Sequence, residues 1–220
     1  MTGPTALLHI AYDDLSSVLT SLTEAEGWQP TGCAGWTPVD LGFHLLGDAR
    51  RALVALSTPA AAPADTDAVS YWTAWRPPAP GDHEELWSTR IAASTQGGLP
   101  GIAARYAETA AAVGVAAGRL DPAERVRTQA RVLTVADLLS TLVVEAAVHH
   151  LDLVAHLDRP GPADESLAEV RRVLERLADG PLPSRWDDVT AARRGTGRER
   201  LSAADRLELG PGAARFPLFG

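Results

Sequence analysis

Four ionisable side chains interrupt an apolar segment near residue 150: Glu145, His149, Asp152 and His156. If the segment is a helix with about 100° per residue, they lie at about 0°, 40°, 340° and 20° around its axis. They therefore share one narrow stripe of a helix that is apolar on nearly all other sides, as in a buried bundle helix. A carboxylate on a buried stripe is costly unless it is paired or binds a metal ion. The stripe predicts either ion pairs or a metal site.

Glu145 and His149 lie one helical turn apart, about 6 Å along the axis, so they can bind the same ion. His156 lies roughly 16 Å beyond Glu145 and cannot share that site. A third ligand must come from another helix, and His44 is a candidate because its neighbours are largely apolar. Two histidines and one carboxylate form a recognised ligand set for a catalytic divalent metal, with positions left open for water or substrate.

The same residues also have simpler interpretations. Glu145 and His149 can form an ordinary i,i+4 ion pair without a metal. His44 can be a hydrogen-bonded histidine of the core or its boundary. Asp152 and Asp48 are either partners that orient ligating imidazoles or members of ordinary helix salt bridges.

Three further residues near these positions receive structural interpretations. His150 points about 100° away from the stripe and is expected to lie elsewhere. Trp36 is expected to form a hydrophobic staple at a helix start. Cys33 is expected to be a small turn residue, since the sequence places no histidine or basic partner beside it.

Helices are predicted to position the candidate residues. Thr37, followed by Pro38 and by Asp40 three residues on, is the pattern of a capped helix start, and Ser202 with Asp205 is another. No convincing alternation of apolar and polar residues indicates a strand. The predicted helices span residues 5–26, 38–57, 83–119 with an interruption at 96–101, 134–156 and 164–179.

A long proline-rich connection is predicted at residues 58–82. It carries Tyr71, Trp72 and Trp75. Loops of this length are usually functional or disordered, and the aromatic residues favour partial packing, as in a lid.

Composition narrows the class of protein. The chain has 220 residues, and its 20 basic and 28 acidic side chains give a net charge of −8. A pI near 5.2 argues against binding to nucleic acid. The single cysteine excludes an intrachain disulfide, and no apolar run or basic leader predicts a membrane span or a secretory signal. A cytoplasmic location is therefore expected.

Two motifs, Gly35 to Leu45 and Glu145 to Asp152, resemble those of the mycothiol-dependent maleylpyruvate isomerase family, which belongs to the DinB-like superfamily. The resemblance covers roughly residues 5–160. It implies an all-α fold, a DinB-like four-helix bundle with a long crossover between helices 2 and 3. Residues 1–160 would form this bundle and residues 161–220 a short helical C-terminal extension.

The resemblance also implies a metal site of His44, Glu145 and His149. Asp152 and Asp48 are expected behind these ligands from their own positions on the helices, and not from the resemblance. The ion would be divalent, with zinc first and nickel, iron or manganese as alternatives. The better-known isomerases have a larger second domain that supplies an active-site arginine. Here Arg198 is a candidate for that residue.

Two classes of function follow from the resemblance. The first is a metal-dependent enzyme that activates a low-molecular-weight thiol, mycothiol, as thiolate. The thiolate would isomerise a maleylpyruvate-like unsaturated acid from cis to trans, or would be transferred to a small electrophile, with specialised metabolism as one setting. The second is a non-catalytic DinB-like stress or ligand-binding bundle with a structural or vestigial metal site. Neither class requires nucleic acid or a membrane.

Overall fold

The computed structural model describes residues 2–73 and 83–219, and these residues are mostly helical. A single two-stranded sheet and two short 3-10 helices, Glu26–Trp28 and Gly210–Arg215, accompany the α-helices of the described part. The main elements are α1 (Pro4–Ser21), α2 (Pro38–Leu56), α3 (Ser70–Thr73), α4 (Glu84–Ser94), α5 (Gly98–Ala117), β1 (Arg125–Thr128), β2 (Arg131–Thr134), α6 (Val135–Leu153), α7 (Asp164–Ala178), α8 (Asp188–Gly195) and α9 (Ala203–Leu209).

Four long helices, α1, α2, α5 and α6, form the bundle. Each of α1 and α2 packs against both α5 and α6, and α4 lies against α2. Fully buried residues from all four helices, among them Leu8, Leu46, Ile102 and Leu139, form one core. This arrangement confirms the all-α, DinB-like bundle. Within the described residues, no helix has the length and apolar character needed to cross a bilayer.

Helix α6 packs on two sides. Leu139 and Leu153 enter the bundle core, whereas Val144 and Ala147 enter a second apolar cluster that includes residues of α7 and α8. Because both faces of α6 are covered, it is apolar on nearly all sides, as its sequence indicates. The residues after 160 thus pack against the bundle, and the division of the chain at residue 160 stays a prediction.

The start of α2 has the predicted capping box. The hydroxyl of Thr37 accepts from the backbone N–H of Asp40, and the Asp40 carboxylate accepts from the backbone N–H of Thr37. Arg90 of α4 also binds this carboxylate, with its Nη2 2.6 Å from Oδ2. The cap and the ion pair together fix the end of the helix that carries His44.

Two helices end earlier than predicted. Helix α1 ends at Ser21 instead of residue 26, because the carboxylate of Glu26 turns back to accept from the backbone N–H and hydroxyl of Thr23. Helix α6 ends at Leu153 instead of His156. Its last turn meets a loop whose Gly32 backbone N–H donates to the carbonyl of Asp152 over 2.8 Å.

The hairpin of β1 and β2 is a feature that the sequence analysis missed. Thr134 pairs with Arg125 and also caps α6, so the hairpin leads directly into the helix that carries the candidate ligands. The strands have only four residues each, too few for alternation to be visible. Their turn uses Gln129 and Ala130 at positive φ, without the Gly or Asn that usually marks such a turn.

The connection after α2 follows the hairpin. Pro59 forms a bridge with Val126, and the ring of Trp72 stacks on Phe219 with centroids 4.4 Å apart. Trp72 is therefore packed against the C-terminal segment. Trp75 and the other residues from 74 to 82 lie outside the described residues.

Replacing Thr37 with Ala tests the cap that fixes α2. We expect the free energy of unfolding to fall by about 1 kcal/mol, because the backbone N–H of Asp40 loses its acceptor. The measurement is urea denaturation followed by circular dichroism. Thr20→Ala is the matched control, since this exposed hydroxyl only donates to the carbonyl of Ser16 within α1. An equal loss in both variants would contradict a special role for the cap.

Candidate metal centre

Three side chains from two bundle helices converge on one point. His44 projects from α2, while Glu145 and His149 project from α6, one turn apart. Nε2 of His44 lies 3.5 Å from Oε1 of Glu145, and Nε2 of His149 lies 3.3 Å from the same oxygen. The three donor atoms all lie within 4.8 Å of one another. The structure thus brings together the three residues that the sequence analysis nominated as ligands.

The spacing of these atoms fits a small divalent ion. Around an ion with tetrahedral ligands at about 2.0–2.2 Å, neighbouring donor atoms lie about 3.4 Å apart. The two separations from Glu145, 3.5 and 3.3 Å, agree with that value. Imidazole nitrogen and carboxylate oxygen are suitable donors for zinc and for other first-row metals.

Hydrogen bonds and charges within the cluster set the protonation of its members. Burial alone would raise the pKa of Glu145, but hydrogen bonds with His149 and His44 hold it well below its ordinary value. Burial alone would lower the pKa of His149, whereas hydrogen bonds with Asp152, Cys33 and Glu145 raise it well above the usual range. The carboxylate is thus ionised at neutral pH and available as an anionic ligand.

Asp152 orients His149 through the other ring nitrogen. Its Oδ2 lies 3.0 Å from Nδ1 of His149, so in a neutral His149 the proton would stay on Nδ1 and the lone pair of Nε2 would be free for an ion. Arg198, from the segment after α8, donates to both oxygens of Asp152 over 2.7 Å each. Burial raises the pKa of Asp152, but the hydrogen bonds with His149 and Arg198 and the charges of both residues together hold it well below its ordinary value.

Asp48, the other aspartate predicted behind the ligands, takes a different position. Its Oδ2 lies 3.2 Å from Nε2 of His44, the nitrogen that faces Glu145, and its carboxylate also contacts Arg51. It therefore does not approach His44 through Nδ1, as Asp152 approaches His149. A role for Asp48 in orienting His44 stays a prediction.

The remaining histidines of α6 lie away from the cluster. His150 is buried, and its Nε2 lies 3.1 Å from the carbonyl oxygen of Pro160. His156 is exposed and follows the end of α6. Both placements agree with their expected separation from the ligand set.

Cys33 is the neighbour of the site that sequence reasoning missed. Its Sγ donates to Oδ2 of Asp152 at 3.3 Å and lies 3.9 Å from Nδ1 of His149. It belongs to the loop immediately before the motif that contains His44. This position next to the motif was the one feature of the sequence that could have indicated that Cys33 lies at the site. The partners that bring it to the site lie more than a hundred residues away in sequence, so the sequence did not place them.

Gly32 allows this loop to approach α6. A Cβ at Gly32 would lie 2.6 Å from Oδ1 of Asp152 and 3.0 Å from its Cα. Real side chains essentially never make contacts this short, so any larger residue must displace Asp152 or the loop.

A cavity of about 360 Å³ opens beside the cluster. This volume lies within the range of small-molecule sites, about 300–1,000 Å³. Trp36, predicted to be a staple, lines this cavity, and its ring meets that of His44 edge to face with centroids 5.5 Å apart. The cavity is lined by Gly32, Cys33, Ala34, Trp36, Leu41, His44, Glu85, Glu145, His149 and Arg198.

Comparison with known proteins places these features in a family. The family model described as the mycothiol maleylpyruvate isomerase N-terminal domain matches residues 8–154. This range contains all three candidate ligands but not Arg198. No curated protein and no solved structure matches the chain.

Replacing His149 with Ala tests the ligand set. We expect loss of stoichiometric metal, measured by elemental analysis after gel filtration, and no gain in the free energy of unfolding. Glu145 would keep its negative charge but lose one of its hydrogen-bond partners, and a partly buried charge without a partner lowers the stability of the fold. His9→Ala, an exposed histidine of α1, is the control and should keep its metal. A full equivalent of tightly bound metal in His149→Ala would show that His149 is not a ligand.

Gly32→Ala tests the support of His149 by Asp152. Because the new Cβ displaces Asp152, we expect metal affinity to fall by about 10- to 100-fold, the usual effect of disturbing a ligand's hydrogen-bond partner. Competition with a chromophoric chelator measures the affinity. Gly47→Ala in α2, where a Cβ meets nothing within 4 Å, should leave it unchanged. Equal affinities of Gly32→Ala and wild type would argue against this coupling.

Proposed function

The chain belongs to the family of the mycothiol maleylpyruvate isomerase N-terminal domain, and we propose that it is a metal-dependent enzyme that uses mycothiol. Its reaction is cis–trans isomerisation of a maleylpyruvate-like acid or transfer of the thiol to a small electrophile. The observation that carries the proposal is the convergence of His44, Glu145 and His149 on the wall of a cavity of about 360 Å³.

In this proposal, His44, Glu145 and His149 would hold the ion, with zinc as the first choice. A bound divalent ion lowers the pKa of a thiol ligand, so that a thiolate is present at neutral pH. Asp152 keeps the proton of His149 on Nδ1, and Arg198 keeps Asp152 ionised and in place. The cavity borders all three ligands, so the thiol sulfur and its reaction partner would reach the ion from this cavity.

A second group of metal-binding side chains, Cys33, His149 and Asp152, also has donor atoms within 4.8 Å. An ion there would have to displace Arg198, which occupies both oxygens of Asp152. It would also need Nδ1 of His149, the nitrogen that contacts Asp152. These competing contacts favour the set of His44, Glu145 and His149.

The two candidate reactions use the thiol differently. In isomerisation, the thiolate adds to the cis double bond, the resulting single bond rotates, and elimination releases the trans product and the thiol. In transfer, the new carbon–sulfur bond replaces the bond to a leaving group, which departs with the proton of the thiol, and one thiol is consumed in each turnover. The free thiol concentration during turnover therefore separates the reactions.

Cobalt substitution tests whether a thiol binds at the proposed ion. We expect mycothiol to add an intense near-ultraviolet charge-transfer band to the Co²⁺ protein, because thiolate ligation produces a band that nitrogen and oxygen ligands do not. Mercaptoethanol should produce the same band only at higher concentration, since the cavity also contacts the rest of mycothiol. His149→Ala serves as the control without metal. A Co²⁺ spectrum that neither thiol changes would favour a non-catalytic bundle with a structural or vestigial metal site.

A further inference from the structure

A second cavity, of about 320 Å³, shares Gly32 and Arg198 with the lining of the cavity at the metal centre. We call it the arginine cavity. Its lining comes from the loop before α2, the end of α6 and the segment at the end of α8. The residues are Thr31, Gly32, Leu151, Asp152, Ala155, His156, Arg193, Arg198 and Glu199.

The acidic side chains of the arginine cavity are already neutralised. Both oxygens of Asp152 accept from Arg198. Oε1 of Glu199 accepts from Nε and Nη2 of Arg194 at 3.0 and 2.6 Å. Each carboxylate that lines this cavity therefore already has an arginine as its ion-pair partner.

Arg193 is a basic residue of the arginine cavity that takes no part in these ion pairs. Its guanidinium makes no hydrogen bond or ion pair with any residue in the described part of the chain, and neither does the imidazole of His156. Apart from a longer-range attraction to Asp187 at the start of α8, this half-buried guanidinium has a positive charge and several donors without a hydrogen-bond partner among the described residues.

The backbone of Arg193 is held in place. It lies in the last turn of α8, between buried Ala192 and Gly195, and its carbonyl accepts from the N–H of Glu199 at 3.0 Å. Gly195 packs against Leu174 so closely that a Cβ would lie 2.6 Å from that side chain. A ligand that binds Arg193 therefore meets a side chain whose base is fixed, which reduces the entropic cost of binding.

We propose that the arginine cavity binds a carboxylate group of a small organic acid, with the guanidinium of Arg193 as its main ligand. A planar carboxylate matches the fork of donors of a guanidinium, and His156, which lines the same cavity, supplies another donor. That this acid is the substrate of the metal centre rests on the proposed function. The binding of the carboxylate does not, because Arg193 touches neither the ion ligands nor the thiol.

Calorimetric titration with maleate, a cis-unsaturated dicarboxylate, tests this assignment on protein freed of metal by a chelator. We expect maleate to bind, and Arg193→Gln to weaken its binding by about tenfold or more, because a charge-assisted bidentate contact is lost. Arg119→Gln is the matched control. It removes one exposed arginine at the end of α5, outside both cavities, and should not change the affinity.

The outcomes separate this proposal from the proposed function. Loss of maleate binding in Arg193→Gln but not Arg119→Gln supports the carboxylate site, even if the Co²⁺ protein shows no thiol band. Binding that requires added zinc and is unaffected by Arg193→Gln would overturn the site and place the acid at the metal. Equal weakening in both arginine variants, or phosphate binding as tightly as maleate, would overturn the assignment of a specific carboxylate site. Circular dichroism of each variant confirms that it is folded.

Discussion

The carboxylate of Asp152 links the three parts of the chain that form the site. It contacts Nδ1 of His149 within α6, accepts from Sγ of Cys33 in the loop before α2, and accepts from Arg198 after α8. The backbone carbonyl of the same residue accepts from Gly32. A buried carboxylate is stable only when its oxygens are matched by donors, so these segments must arrive together. The orientation of His149 follows from that requirement.

Helix α6 can carry polar residues on a buried stripe because each of its two apolar faces packs into a different core. One face belongs to the bundle core and the other to the cluster with α7 and α8. Between them, Glu145 and His149 meet His44 from α2 at the cavity. The stability of the helix comes from the two cores, which leaves the stripe between them free for polar groups. Partial exposure of the cluster, with 26% of the Glu145 side chain accessible, also keeps the cost of its charges moderate.

The two proposals assign different tasks to different parts of the chain. The ligand set lies on bundle helices inside residues 8–154, the range that the family model matches. Arg193 and Arg198 lie beyond that range, in the segment that packs on the outer face of α6. If this segment supplies the contacts to the acid, substrate choice can change through its residues without disturbing the ion ligands. Such a division resembles the general placement of specificity on segments that surround a rigid scaffold.

The sequence by itself determined the helical bundle and the stripe of Glu145, His149 and Asp152, because capping patterns and helical periodicity are local. His44 could be nominated from its motif, but its meeting with α6 depends on how two helices pack.

The hairpin was missed because each strand is short and its turn lacks Gly and Asn. The early end of α6 and the place of Cys33 depend on Gly32 meeting Asp152, a contact between residues more than a hundred positions apart. Arg198 was only a candidate, and Arg193 was not noticed, since a surface arginine in a sequence carries no sign of its partners. Only the tertiary structure decided that Arg198 pairs with Asp152 and that Arg193 has no such carboxylate partner in its cavity, because ion pairs form between segments that chain order does not bring together.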